Sequence, residues 1–280
     1  MTASVERLDG NAVVRGFLGS RRRVFVLDHE GTLTGGDLTA KGAGLKPQVL
    51  ETLHALAQTE DTVVMIVSGR DKKLMEEWFV ANGASAGTSD NVRMYLAAEH
   101  GFYVRRLDGE WRCMVASEGS LRNMVKWKEI ARTLIEVTQR RVANTFMENK
   151  GSAIVWQWRS ADPVYGLSQA KQLHAGLEEY LKGFNVEITT GKGYTEVRLR
   201  GVNKGATLHE LLSRESEADF LFCAGDDLGD EFMFDEANGR LDIKNRFTVK
   251  IGNDKTAAKF CLPNPEALHS CLSLLAHSYY

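Results

Sequence analysis

Three short apolar runs in this chain each stop abruptly on a polar residue. Val24 to Leu27 ends on Asp28, Val63 to Val67 on Ser68, and Phe220 to Gly225 on Asp226. The runs are apolar at successive positions rather than alternate ones, and rich in Val, Ile and Phe. That pattern suits strands covered on both faces, and it constrains the fold more than any other feature of the sequence. MYLAA (94–98) and FTVKI (247–251) extend the set. Between the runs, apolar residues fall at helical spacing: Val49, Leu53 and Leu56 after Pro47, then Leu74, Trp78 and Phe79, then Ala206, Leu208, Leu211 and Leu212. Strands alternating with helices imply an α/β fold with a doubly wound, Rossmann-like parallel sheet.

The rhythm changes between about Glu110 and Arg200. A long amphipathic helix, Leu121 to Arg141, with Met124, Trp127, Ala131 and Leu134 on one face, leads to strand-like SAIVWQW (152–158). A second helix, Leu167 to Leu181, leads to VEITTG and TEVRLR. This order of helix, strand, helix, strand, strand reads as an α+β domain inserted into the α/β pattern. The expected organisation is a core of residues 1–112 and 200–280 and an inserted cap of 113–199. Met1 to Gly19 reads as a short leader, or as a cut from a longer parent chain.

A chain of 280 residues with 43% hydrophobic content can bury a core of this size. A net charge of −2 offers no field to draw it to nucleic acid or an anionic membrane. The basic runs Arg21–Arg23 and Arg140-Arg141 read as solvated faces. The four cysteines lack metal-site spacing, and no apolar run reaches the roughly 20 residues of a membrane span. A reduced, cytoplasmic protein is the expectation.

In open parallel sheets ligands bind beyond the carboxyl ends of the strands. Asp28 and Glu30, Ser68 and Arg70, and Asp226, Asp227 and Asp230 would therefore converge on one crevice. A solvated turn or helix cap explains any one of these carboxylates, but explains three strand ends together poorly. A cluster of aspartates without Cys or His support favours Mg²⁺. Ser68 can donate to a phosphate oxygen, and Lys204 adds a positive charge at a helix start. Anion-binding groups beside a metal suggest phosphoryl transfer, with the leading aspartate as nucleophile. Competing motifs fail. There is no GxxxxGK[ST] loop and no GxGxxG after the first strand, and Leu33 replaces the second histidine of an HExxH look-alike at His29-Glu30.

DHEGT, VSGR, NKG and GDDLGDE, in that order, resemble the four motifs of the haloacid dehalogenase superfamily. AEHG (98–101), ENKGSAIVWQWRSADPVYG (148–166), GKGYTEVRLRGVNKG (191–205) and GDDLGDEFMF (225–234) look like the trehalose-6-phosphate phosphatase family, and these matches span most of the chain. The resemblance implies a Mg²⁺-dependent phosphatase that converts trehalose 6-phosphate to trehalose and phosphate through an aspartyl-phosphate. It implies Asp28 as nucleophile and metal ligand, residue 30 as general acid/base offering its carbonyl to the metal, and Asp226 as the remaining protein ligand. Asp227 and Asp230 would serve the metal's water shell, and Ser68 and Lys204 would hold the phosphoryl group. Arg70 and His100 on the core side, and Glu148, Lys150 and Glu196 in the cap, match sugar-binding positions, and cap closure would exclude water. A trehalose-phosphate synthase domain or subunit is the implied partner. On composition alone Glu148 and Lys150 are an exposed charge pair, Glu196 an outward strand residue, His100 a turn residue and Trp156 or Trp158 cap core.

The family pattern has aspartate where this chain has Glu30. Glutamate keeps the charge and a similar intrinsic pKa. Its extra methylene moves the carboxyl by on the order of 1 Å, and a misplacement of that size can cost roughly a hundredfold in rate. Two expectations follow: an enzyme slowed by Glu30, or a catalytically impaired, regulatory phosphatase-like domain of a trehalose-synthesis assembly. Survival of Asp28, Ser68, Lys204 and Asp226 favours the enzyme.

Overall fold

The computed structural model describes residues 5–35, 44–81, 92–114 and 118–278. The chain divides into two compact units, Met1–Arg112 with Asn203–Tyr280, and Cys113–Val202.

The first unit opens with β1 (Glu6–Arg7), α1 (Gly10–Leu18), β2 (Arg23–Asp28), α2 (Pro47–Gln58) and β3 (Thr62–Val67). A short α3 (Lys72–Met75) passes into a π-helical turn, Glu76–Ala81, followed by β4 (Met94–Ala98), β5 (Tyr103–Arg106) and β6 (Arg112–Cys113). The second unit contains α4 (Glu118–Gln139), β7 (Phe146–Asn149), β8 (Ala153–Gln157), α5 (Pro163–Tyr180), β9 (Val186–Gly191) and β10 (Tyr194–Leu199). The chain then completes the first unit with α6 (Lys204–Arg214), β11 (Phe220–Gly225), α7 (Leu228–Gly239), β12 (Asn245–Ile251), β13 (Phe260–Leu262) and α8 (Pro265–His277).

Among the described residues, nine strands form one sheet in the order β1-β13-β12-β11-β2-β3-β4-β5-β6. The pairings from β1 to β4 are parallel, and β5 turns back antiparallel on β4. Successive residues of the apolar runs serve opposite faces. Phe25, Leu27, Val64, Ile66 and Phe222 join one core with α1, α2 and α8, whereas Val24, Val26, Val63, Met65, Leu221 and Cys223 join a second with α6 and α7. This is why the runs are apolar at every position. Capping residues stand where the helices begin: Asn203 accepts from the Ala206 amide ahead of α6, and Asp227 and Asp230 close a reciprocal capping box on α7.

In the second unit the sheet order is β7-β8-β10-β9, antiparallel throughout. Trp127, Trp156 and Trp158 are all buried in it, which makes both tryptophans of the SAIVWQW segment core residues. The strand β7, FMEN, had no counterpart in the sequence reading, which expected a single strand between the two helices.

Two other expectations need correction. From residue 5 onward the supposed leader belongs to the core unit: β1 pairs with β13, and Val13 and Phe17 of α1 are fully buried. The Arg21–Arg23 run is not a solvated face throughout. Arg23 is buried, donates to the Phe17 carbonyl at 2.8 Å and lies over the Phe17 ring, and Arg22 pairs with Asp61 and Glu215. The four cysteines are free thiols, with Cys223 and Cys271 buried. Among the described residues no helix is long and apolar enough to cross a membrane.

Candidate active site

The strand β2 is the fifth of nine, between β11 and β3. Leu27 pairs with Ala224 and Asp28 with Val67, so the three carboxyl ends finish level and release their polar residues side by side. Asp28 is the last residue of β2 and is buried. Lys204 opens α6 and is itself only 2% exposed. Its Nζ donates to Asp28 Oδ1 at 2.6 Å and to Asp230 Oδ1 at 2.7 Å, with Asp227 Oδ1 3.8 Å away. Gly205 lets this helix start approach α7, because a Cβ there would lie 2.4 Å from the Phe232 carbonyl.

Asp230 has no exposed surface, and its second oxygen accepts the amides of Asp226 and Asp227 at 2.9 and 3.0 Å. It ties the lysine to the loop that carries Asp226. Thr32 donates to Asp226 Oδ1 at 3.0 Å, and Lys250 of β12 donates to the Asp226 carbonyl. Gly31 sits at φ +81°, where a Cβ would fall 2.2 Å from Asp226 Oδ2. Only glycine allows the loop after β2 to pass this close to that carboxylate.

The electrostatics follow from placing several carboxyl groups around one ammonium. Burial pushes the Asp28 carboxyl up to about 7, with Lys204 pulling against it. Burial, reinforced by Asp28, takes Asp230 to about 8. Burial also raises Asp226, against the lowering influence of the Thr32 hydroxyl that donates to it. For Lys204 burial opposes the charge, and Asp28, Asp230 and Asp227 outweigh it, holding the lysine protonated above its ordinary range. Asp227 is lowered: burial works against its charge, and Lys204 and its capping bonds prevail.

Ligand atoms of Asp28, Asp226 and Asp230 all lie within 4.8 Å of one another. The donors are all hard oxygens, drawn from three carboxyl groups gathered in one place. Such a set fits a divalent cation of the Mg²⁺ type. Asp230 differs from the other two, since one oxygen serves Lys204 and the other the loop amides.

At the neighbouring strand end, Ser68 is buried and its Oγ accepts the Arg70 amide at 3.1 Å. Glu99 and His100 both take left-handed backbone, φ 51° and 56°, and are anchored by the Glu99 amide on the Arg70 carbonyl at 2.9 Å and the His100 amide on the Ser68 carbonyl at 2.8 Å. Glu30 and Arg70, expected in separate roles, are joined. Arg70 Nε donates to Glu30 Oε2 at 2.6 Å, and Nη2 donates to Oε1. Both are partly buried, with side chains 26% exposed for Arg70 and 32% for Glu30. His29, between the two acids, has the opposite environment. It is fully buried against Trp78 and Phe79, neither ring nitrogen has a partner, and desolvation lowers it to about 4.

In the second unit, Glu148 and Glu196 stand opposite Val155 from either side, in β7 and β10. Their face is the one opposite Thr190, which hydrogen-bonds His174 of α5. Gln157 donates to Glu148 at 3.3 Å. Glu196 is raised, first by burial, against the lowering influence of Arg198 and Lys150. Lys128 of α4 donates to the carbonyls of Lys150 and Gly151 and so fixes the turn that presents Lys150. The three cap candidates therefore share one neighbourhood.

Two contributors escaped the sequence reading. Thr32 was visible as part of DHEGT but received no role. Lys250, buried to 3% exposure, looked like an ordinary strand residue of FTVKI.

A family profile described as trehalose-phosphatase matches residues 26–266. A Schizosaccharomyces pombe protein named trehalose-phosphatase is 33% identical over 265 residues, covering 91% of this chain and 31% of the relative. A bifunctional trehalose-6-phosphate synthase/phosphatase of Thermoproteus tenax is 31% identical over 271 residues, covering 97% of this chain and 34% of the relative. The chain thus spans about a third of the length of these curated relatives. A solved structure of Aspergillus fumigatus trehalose-6-phosphate phosphatase superimposes with a TM-score of 0.74 at 30% identity, covering 98% of this chain and 99% of the other.

Proposed function

Because the chain belongs to the trehalose-phosphatase family, we propose that it hydrolyses trehalose 6-phosphate to trehalose and phosphate. The observation that carries this reading is the junction of Asp28, Lys204 and Asp226 at the carboxyl ends of adjacent central strands. Lys204 holds one oxygen of Asp28 and leaves the carboxylate's other oxygen to attack phosphorus. As that bond forms, the bond from phosphorus to the sugar oxygen breaks, and Glu30 donates a proton to the departing alcohol. Glu30 then takes a proton from water, which attacks the aspartyl-phosphate at phosphorus, frees Asp28 and releases phosphate. Ser68 and Lys204 hold the phosphoryl oxygens.

Asp28, Asp226 and the carbonyl of Glu30 would hold Mg²⁺, whose bound charge offsets that of the phosphoryl oxygens. Asp230 instead locks the loop, and Asp227 caps α7. Residues Cys113–Val202 act as the inserted cap, with Glu148, Lys150 and Glu196 recognising sugar hydroxyls. Fusion of synthase and phosphatase in the Thermoproteus relative supports a trehalose-phosphate synthase domain or subunit as partner.

Phosphate release from trehalose 6-phosphate should require Mg²⁺, exceed release from sucrose 6-phosphate and glucose 6-phosphate, and be abolished by Asp28→Asn. Turnover no higher than that of Asp28→Asn would overturn the reading. A second reading, a sugar-phosphate-binding domain without turnover, draws on one observation: Arg70 engages the Glu30 carboxylate. The same assay separates the two.

A further inference from the structure

We propose that Arg70 is a positioning residue for Glu30, and that the site is built around glutamate at position 30 rather than merely tolerating it. The inference rests on the phosphatase reading above.

A guanidinium and a carboxylate meet here fork to fork. Nε reaches Oε2 at 2.6 Å and Nη2 reaches Oε1, so both carboxylate oxygens are fixed and the plane of the group is set with them. The arginine is itself restrained. Its amide donates to Ser68 Oγ at 3.1 Å, and its carbonyl accepts the amide of Glu99 at 2.9 Å, a residue in left-handed backbone. Arg70 is thus anchored at the end of β3, where Ser68 also stands. Partial burial of both side chains keeps the pair from being an ordinary solvated surface contact.

Chain length decides what this anchoring means. Replacing Glu30 by aspartate withdraws the carboxylate by on the order of 1 Å from an arginine whose backbone cannot follow. A 2.6 Å contact lengthened by that amount lies beyond hydrogen-bond range. The extra methylene, read from the sequence as a source of misplacement, is what lets the acid reach its holder. Arg70, matched by the resemblance to a sugar-binding position, gives Nε and Nη2 to Glu30, and the ionised Glu30 is thereby held oriented for the step in which it takes a proton from water.

The test is a double-mutant cycle on steady-state hydrolysis of trehalose 6-phosphate in Mg²⁺, comparing the wild type, Glu30→Asp, Arg70→Lys and the double variant, with Asp28→Asn as background. Glu30→Asp should lower kcat by about tenfold or more, within the range that general acid-base assistance supplies. Arg70→Lys should lower kcat by about tenfold with KM changed less than about threefold, and by less than about twofold in the Glu30→Asp background, because coupled residues are non-additive. Arg70→Gln takes its place if Arg70→Lys does not melt as the wild type does. A rise in kcat on Glu30→Asp, an equal Arg70 effect in both backgrounds, or an effect confined to KM would overturn the proposal while leaving the phosphatase reading intact. Wild-type release no faster than Asp28→Asn would overturn both.

Discussion

Replacing Lys204 by methionine removes one charge and keeps roughly the same length, so it isolates what the ammonium does for the fold. The ammonium is 2% exposed and makes two short bonds, to Asp28 at 2.6 Å and Asp230 at 2.7 Å. Without it two buried carboxyl groups lose their cation. Breaking a buried pair in this way costs about 3–5 kcal/mol, against a total stability on the order of 5–15 kcal/mol for a folded domain. The variant should therefore lose about a fifth or more of the stability of the first unit. Urea unfolding in EDTA, read from amide protection in β2 and β11, measures this without interference from the second unit or from metal. The loss should be greatest at high pH. Burial raises Asp28 and Asp230 and Lys204 pulls both down, so without the lysine the two carboxyl groups keep their protons to higher pH than in the wild type, and the variant loses stability as they ionise. Protonation relieves the orphaned charges, and the gap to the wild type should narrow by pH 6. Asp230→Asn added to the variant should recover about 1 kcal/mol or more at high pH by deleting one of those charges. A gap to the wild type that stays the same or narrows as pH rises, or that widens on acidification, would refute the reasoning.

Gly31→Ala should displace Asp226, because the new Cβ falls 2.2 Å from its Oδ2 at a backbone φ of +81°. Mg²⁺ affinity by calorimetric titration should drop about tenfold or more, and an unchanged affinity would detach Asp226 from the metal site. His54 of α2 is buried without a partner on either ring nitrogen, and desolvation lowers its pKa. Its neutral form is the one the fold accepts, so the stability it contributes is present above its ordinary value near 6.5 and is lost as pH falls below it. His54→Leu should shrink the acid-side loss of stability, and parallel pH curves for variant and wild type would contradict that assignment.

What the sequence disclosed was local. The β2, β3 and β11 runs are apolar at every position because each is clamped between two layers, and the polar residue after each run is visible as a break in composition. Asp28, Ser68 and Asp226 needed nothing more. Lys250 was hidden by its own strand, since FTVKI reads as a strand with one outward charge. Only the register that sets Gly225 beside Lys250 turns its amine onto the Asp226 carbonyl. The Glu30–Arg70 pair joins two strand ends whose closeness follows from β2 pairing with β3, so the sequence showed two charges and no bond. In β7, Phe146 and Met147 are followed by Glu148, too short an apolar stretch to register. It is a strand because β8 offers it an edge. Likewise Val13 and Phe17 lie in the run read as a leader, and they are core because α8 and β12 pack against α1 and Phe17 meets the rings of Phe25 and Phe220.

The central pairing of β2 with β11 sets a timetable for biosynthesis. Asp226 follows Asp28 by 198 residues (226 − 28). At about 5–20 residues per second the ribosome needs roughly 10–40 s to deliver the second half of the site after the first. Through that interval β3 can cover one side of β2, while the other presents unpaired amides and carbonyls flanked by Val24, Phe25, Val26 and Leu27. An open apolar edge is a template for joining the wrong chain. Strand β2 thus spends that interval with an open apolar edge, which makes chaperone demand a consequence of placing Asp28 at the centre of the sheet.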